Sequence, residues 1–273
     1  MPAMKPAFLA DFRNSRRVPP QVIVARNSPE SYTTRLGALA QSAANEPSFT
    51  HDLVSLACLG LLNQEQRTNL ALRSQEFDSA SWAKIAASIV ADVGLAPDGT
   101  TTADRIQEDA TNSAHALQQS FTIASGATIC VSIHVTEQPG SAARFLRVQF
   151  TDTPGTNGFR VVIDPVAGTA SGAQGIGSGT LSFSGVERVS GGWRVWVSGT
   201  AGTATAMVMT LFMQTVAAGS AVYTGDGTSG VRVWGAQVEA GSVPTSYIPT
   251  AGSQITRAAN SLILSGSEFT SRY

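Results

Sequence analysis

From Thr68 onward apolar and polar positions alternate almost without a break. Ile129, Val131, Ile133 and Val135 are separated by Cys130, Ser132 and His134. Leu146, Val148 and Phe150 alternate with Arg147 and Gln149, and Phe159, Val161 and Ile163 form another odd-numbered face. Met207, Met209, Leu211 and Met213 make a fourth, opposite Val208, Thr210 and Phe212. Side chains two apart share a face of a strand, so this period predicts half-buried β-strands. Further strands are predicted at residues 84–91, 103–107, 116–123, 180–188, 193–198 and 231–238. Turn signals separate them: Pro97-Asp98-Gly99, Pro139-Gly140, Gly191-Gly192 and Gly225-Asp226-Gly227. Many short strands, regular turns and no long helical period predict an all-β fold, an antiparallel jelly-roll β-sandwich. The Gly/Ser/Ala-rich run 167–180, including Gly175-Ile176-Gly177-Ser178-Gly179, reads as a loop; it lacks the lysine and helix of a phosphate loop.

Residues 1–66 lack that period. They are punctuated by Pro19-Pro20, Asn27-Ser28-Pro29 and Asn45-Glu46-Pro47, with one short helical turn predicted at 36–44. They read as an extended N-terminal docking or oligomerisation arm, with the sandwich at 67–265 and a C-terminal tail at 266–273. Within the sandwich, residues 234–260 stand out. A strand ends at Gly241 and an extended segment with Pro244 and Pro249 follows. Proline removes a backbone donor and biases its predecessor away from helix. This segment is expected to clamp back over the sheet, with Trp234 and Tyr247 as closure residues.

The 273 residues carry only 14% charged side chains and a net charge of -1, which excludes the basic stripe that nucleic-acid binding needs. Arg13, Arg16 and Arg17 form one small basic cluster, read as a solvated anchor. No apolar run approaches a membrane span, and the opening residues do not read as a signal peptide. Two cysteines, Cys58 and Cys130, are too few for a disulfide scaffold and are expected as reduced thiols.

Three histidines (His51, His115, His134) and no nucleophile elbow leave little catalytic machinery, so no catalytic residue is assigned. Asp152 and Asp164, the one carboxylate pair on neighbouring strands, read as turn acids. The chemistry that remains is glycan binding, in which an aromatic ring stacks on a sugar and polar groups fix its hydroxyls. Trp196, Arg194 and Tyr223 are the candidates. Val195 and Val197 share the face of Trp193, which is expected in the core, leaving Arg194 and Trp196 together on the other side. Trp196 alternatively packs under the arm or a neighbouring subunit. Arg144, Arg147 and Arg160 extend the polar face.

Two stretches carry a family resemblance. One is Leu59 to Leu70, LGLLNQEQRTNL, followed by Phe77 and Trp82; the other is WGAQVEAGSVPTSYIPT from Trp234, followed by Thr256-Arg257-Ala258-Ala259. With Ala25-Arg26-Asn27-Ser28, Ala44-Asn45-Glu46-Pro47 and His51-Asp52, they resemble bacteriophage and prophage virion proteins. Such proteins are similar to carbohydrate-binding modules of the galactose-binding, jelly-roll kind and occur in tail fibres and other exterior virion parts. The resemblance implies a virion structural protein, a tail fibre or decoration component assembled in the host cytoplasm. Its partners would be other virion proteins and sister subunits, reached through the arm, with a homotrimer expected and a host surface glycan as ligand. Alternatives are a free carbohydrate-binding module or adhesin and, further off, a polysaccharide depolymerase. No cofactor is expected. Resembling modules often hold a structural calcium, for which Asp98, Asp104, Asp226 and Glu239 are the nearest acids, yet no single loop supplies more than two.

Overall fold

The structure, a computed structural model, describes residues 17–18, 22–140 and 142–264. They divide into two compact units, one made by the described residues up to Gln66 together with those from Arg257 on, the other by Arg67–Thr256. In chain order the first unit contributes β1 (Val22–Ala25), β2 (Glu30–Thr33), β3 (Leu39–Ser42), β4 (Phe49–His51) and β5 (Cys58–Leu61). The larger unit follows with β6 (Arg67–Asn69), β7 (Ala83–Ile85), β8 (Ala87–Gly94), β9 (Ala103–Glu108), β10 (Asn112–Ala114), β11 (Ala116–Thr122) and β12 (Ile129–Glu137). It continues through β13 (Phe145–Asp152), β14 (Gly158–Asp164), β15 (Thr169–Ile176), β16 (Thr180–Val189) and β17 (Gly192–Thr200). Then come β18 (Ala206–Gln214), β19 (Val222–Thr224), β20 (Gly230–Ala240) and, at the boundary, β21 (Ile255–Arg257); β22 (Ser261–Leu264) returns to the first unit.

Two six-stranded antiparallel sheets build the larger unit. The front sheet runs β15-β14-β13-β18-β11-β7 and the back sheet β16-β17-β12-β20-β9-β8. From β9 through β11 and β12 to β13 the chain changes sheet at every step, and it does so again from β17 through β18 to β20. The central quartets, β9-β20-β12-β17 and β11-β18-β13-β14, are therefore those of a jelly roll, with the β15–β16 hairpin added at one edge. Between the sheets lie the apolar faces predicted from the period of two: Val131 and Ile133, Val148 and Phe150, Phe159 and Val161, Met209 and Leu211 are all fully buried. The sandwich forms because each of these strands has one face that gains by leaving water.

The run 167–180 is mostly strand rather than loop: β15 pairs with β14 and forms the edge of the front sheet. Its residues are largely exposed, so no buried face imposes an alternating pattern. Only the turn at Gly177 and Ser178 interrupts it.

In the smaller unit, residues 22–66 form short antiparallel pairs where one extended arm was expected, β2 with β3 and β4 with β5, while β1 pairs with β22. The helical turn expected at 36–44 is strand β3 behind a tight turn at Gly37, whose backbone is left-handed (φ 83°). The centre of this unit is polar. The buried guanidinium of Arg26 donates to Glu30 Oε2 at 2.9 Å, to Ser42 Oγ at 2.9 Å and to the carbonyls of Ser28 and Ala43. Arg257 pairs with the other Glu30 oxygen at 3.4 Å, which assigns residues from Arg257 on to this unit and ends the sandwich at Thr256. A buried carboxylate between two guanidinium groups is tolerable because its lone pairs are occupied. Arg13, Arg16 and the tail 266–273 lie outside the described residues.

Candidate functional site

A sandwich has two outer faces, and here they differ. The centre of the back face is closed, while toward the β16 edge Phe183 on the same face is exposed. After β20 the chain doubles back through Pro244 and Pro249, and Tyr247 and Ile248 bury themselves against the sheet. Thr245 donates from its N–H and hydroxyl to the two oxygens of the buried Glu239 carboxylate at 2.8 and 2.7 Å. Ile248 N–H donates to Gln237 Oε1 at 2.7 Å, and the hydroxyls of Tyr247 and Ser74 meet at 2.6 Å. Tyr247 of this segment packs at a tilt on Trp234, ring centroids 4.7 Å apart, and His134 meets both rings edge to face, 5.2 Å from Trp234. The expected clamp, with Trp234 and Tyr247 as closure residues, is thus present. Burial, helped by the charge of Arg194, pushes His134 down to about 3. Burial and the neighbouring Glu239 push the Cys130 thiol up to about 12; both cysteines are free.

The three residues singled out from the sequence fall around this closed region and elsewhere. Arg194 and Trp196 do share the outer face of β17, as expected, but Arg194 lies under the clamp. It is buried and donates to Ser132 Oγ at 3.0 Å and to the Thr245 carbonyl at 2.9 Å, so it anchors the segment. Trp196 is half-buried with its ring over Gly185, where a Cβ would stand 2.7 Å from it. Trp193, expected in the core, is half-buried and packs against it. Tyr223 belongs to the separate β10–β19 ribbon. Its hydroxyl donates to Glu108 Oε2 at 2.5 Å, and its ring lies 4.7 Å from that of His115. Burial alone would raise Glu108; the bonds from Arg144, Tyr223 and the Asp226 N–H outweigh it and hold this carboxylate below its ordinary value. That network ties down a loop and leaves Tyr223 little freedom to receive a ligand.

The front face is open, and its register lines up polar side chains. Gln174 stands opposite Arg160, Arg160 opposite Gln149, Gln149 opposite Thr210 and Thr210 opposite Gln118. Five strands thus contribute one polar stripe, spanning about 19 Å at ordinary strand spacing. In the next row Arg147 lies between Val162 and Phe212, with its guanidinium 4.2 Å from the Phe212 ring centre. Phe212 is on the outward face because its neighbours Leu211 and Met213 take the core. A β-bulge shapes the edge: between Ser171, opposite Val162, and Gln174, opposite Arg160, β15 holds one residue more than β14. Gly172 supplies the left-handed backbone this needs (φ 58°). As a result Ser171 and Gln174, three apart, both face outward.

Between this edge and the loop after β18 lies a groove of about 350 Å³, with Arg147, Arg160 and Val162 on its floor and Ser171 and Gln174 along one side. Ala217, Ala218 and Gly219 form the other side. Gln214 is buried in the wall; its amide N–H donates to the Gly219 carbonyl and its Oε1 has no protein partner. A groove of this size lined by fixed polar groups beside an aromatic ring can orient a small polar ligand. Arg147 and Arg160 were already apparent as outward polar positions. Phe212, Gln149 and Gln174 were missed, although an aromatic on the polar side of the Met207–Met213 alternation was a visible signal.

Asp152 and Asp164 do not face each other. Asp152 caps the β13–β14 turn through the N–H groups of Thr156 and Asn157, and Asp164 caps the next turn through Val166 and Ala167. They lie at opposite ends of β14, about 20 Å apart at ordinary strand rise, too far for paired-carboxylate glycoside hydrolysis. Among the described residues no group of three or more His, Cys, Asp or Glu side chains gathers to hold a metal ion. Of the acids considered for calcium, Asp98 and Asp226 cap their own turns and Glu239 holds the clamp.

No known protein family matches the sequence, and no curated protein does. Among solved structures the chain is similar to the enzymatically active domain of tailspike protein 4 from bacteriophage CBA120, at 8% identity and a TM-score of 0.37 over 63% of this chain. The match spans 21% of that tailspike chain. It is also similar to the CBM22-1 xylan-binding domain from Paenibacillus barcinonensis, at 10% identity and a TM-score of 0.35 over 65% of this chain and 94% of that one. A mannan-recognising carbohydrate-binding module, TmCBM27, matches at 7% identity and a TM-score of 0.31 over 66% of this chain and 98% of that one.

Proposed function

We propose that the sandwich is a non-catalytic glycan-binding module whose binding surface is the outer face of the front sheet. The observation that carries this reading is the contrast between the two faces. The centre of the back face is covered by its own clamp, whereas the front face presents a row of amide and guanidinium groups beside Phe212. Sugars present hydroxyl rims and apolar faces, and this face offers partners for both. The test is binding to an array of bacterial surface polysaccharides, with Phe212→Ala and Gln149→Ala as variants and Trp196→Ala as a change outside the surface. Binding that falls by about tenfold in the first two and not in the third supports the reading, tenfold being about 1.4 kcal/mol. An array with no binder, or loss only in Trp196→Ala, would move the function off this face.

The setting is argued from the resemblance of residues 59–70 and 234–259 to virion proteins. We infer that the chain is an exterior virion component, docked through its smaller unit and assembled as a trimer. Ile23 and Ile263, paired across β1 and β22, are each 48% exposed, an apolar pair that a neighbouring subunit would cover. Light scattering that shows a monomer at high concentration would remove the trimer.

A further inference from the structure

The groove on the front face contains two guanidinium groups and no acid. Among the described residues neither Arg147 nor Arg160 is paired with a carboxylate, although the protein as a whole carries a net charge of -1. Some partly or fully buried arginines of the sandwich have one, Arg144 with Glu108 at 2.7 Å and Arg194 at 3.6 Å from Glu187, whereas Arg105 and Arg232 bond to glutamine side chains. Arg147 stacks its face on Phe212 and its buried Nε–H has no acceptor. Burial first, and then the nearby charge of Arg160, lower Arg147 to about 10.

Arg160 shows what would fit. With the Gln174 amide turned so that its oxygen faces the guanidinium, it accepts from Nη2 at 3.0 Å and from Nε at 3.3 Å. That is the fork geometry in which arginine receives a carboxylate, filled here by an exposed neutral amide. A charged acceptor in the same place makes shorter bonds about twice as strong. The amide is on an edge strand and can give way.

We propose that Arg147 and Arg160 form an oxyanion site that makes the groove selective for acidic polysaccharide, with the carboxylate of a uronate-type sugar as the fitting group. This rests on the front face being the glycan surface. The sugar ring would lie along the amide stripe while the carboxylate enters between the two arginines, displacing Gln174 from Arg160. Sulfate and phosphate esters share the oxyanion chemistry, and the test separates them.

The full-length protein would be titrated at low salt with an oligouronate, its neutral counterpart of the same linkage, a sulfated polymer, a polymer with phosphodiester links, and inorganic phosphate alone. The oligouronate is expected to bind at least about tenfold more tightly than the neutral counterpart, and to weaken as salt rises. Arg147→Gln and Arg160→Gln should each remove that preference, with Arg160→Lys restoring part of it, a recovery that an unfolded variant would not show. Equal binding of the neutral polymer, unchanged in Arg160→Gln, would overturn the oxyanion site and leave the glycan reading standing. If no polymer binds, both fall. Equal binding of the sulfated or phosphodiester polymer would overturn the carboxylate assignment, and competition by inorganic phosphate at the polymer's own concentration would overturn the requirement for a saccharide.

Discussion

His134 occupies an outward position of β12 and is nevertheless enclosed, because the clamp brings Trp234 and Tyr247 over it. Its charged form is excluded from the fold. With the folded value near 3 and an ordinary value of 6.5, the unfolded chain takes up a proton between these limits and the folded chain does not. Stability from this residue is therefore complete above pH 6.5 and falls as pH drops, by up to about 1.4 kcal/mol per pH unit. Urea midpoints should decline from pH 7 to 5, before the carboxylates titrate, and decline less in His134→Gln; a flat wild-type profile would contradict the burial. Cys130 lies on the same face with its thiol raised to about 12. It should resist thiol reagents at neutral pH in the native protein and react on unfolding, as quantified by mass spectrometry. Gly235 has a left-handed backbone (φ 62°), and a Cβ there would stand 2.8 Å from the His134 ring. Gly235→Ala should cost about 1–2 kcal/mol from backbone strain alone, with the clash adding to it, read as a lowered melting temperature. At this scale the sequence showed which side chains point outward but not which are then covered. Arg194 and His134 alternate correctly, yet the segment that buries them arrives from some fifty and one hundred residues further on (roughly, by position).

The β15 bulge is the element on which the groove depends. In a regular strand Ser171 and Gln174, three apart, would lie on opposite faces, because strand side chains alternate; the bulge turns both outward. Gly172→Val, which disfavours the left-handed backbone the bulge needs (φ 58°), should regularise the strand with its length kept and so turn Gln174 toward the sandwich or unpair the edge. Glycan binding would then fall about tenfold or more, while the melting temperature changes little, since the edge is exposed. Retained binding with Gln174 inward would show that the bulge does not shape the site. Strands with a buried face were legible from the period of two, and β12, β13, β14 and β18 are found where the alternation places them. The edge strand was not, because both its sides are mostly exposed and its glycines serve the bulge and the turn. The polar stripe was also hidden. It is a property of the pairing register across five strands, and no single strand contains it.

At the scale of the whole molecule, the jelly-roll order was legible as a class because only a few topologies suit this many short strands. The smaller unit was not, because its centre is an ion network and not an apolar stripe. The larger unit has its own complete core, so residues 67–256 should fold alone, with one cooperative thermal transition and unchanged glycan binding. A fragment without a transition would mean that the division at Gln66 and Arg257 is not one of folding. The Arg26–Glu30–Arg257 network has a further consequence, in the time order of synthesis. Two of its members leave the ribosome before the sandwich and the third only after the whole sandwich has been made. While the sandwich is being made Glu30 can pair with Arg26 alone, and β1 has no β22 to receive. Domains usually fold in the order in which they emerge. Here the unit that emerges first is the last to be completed.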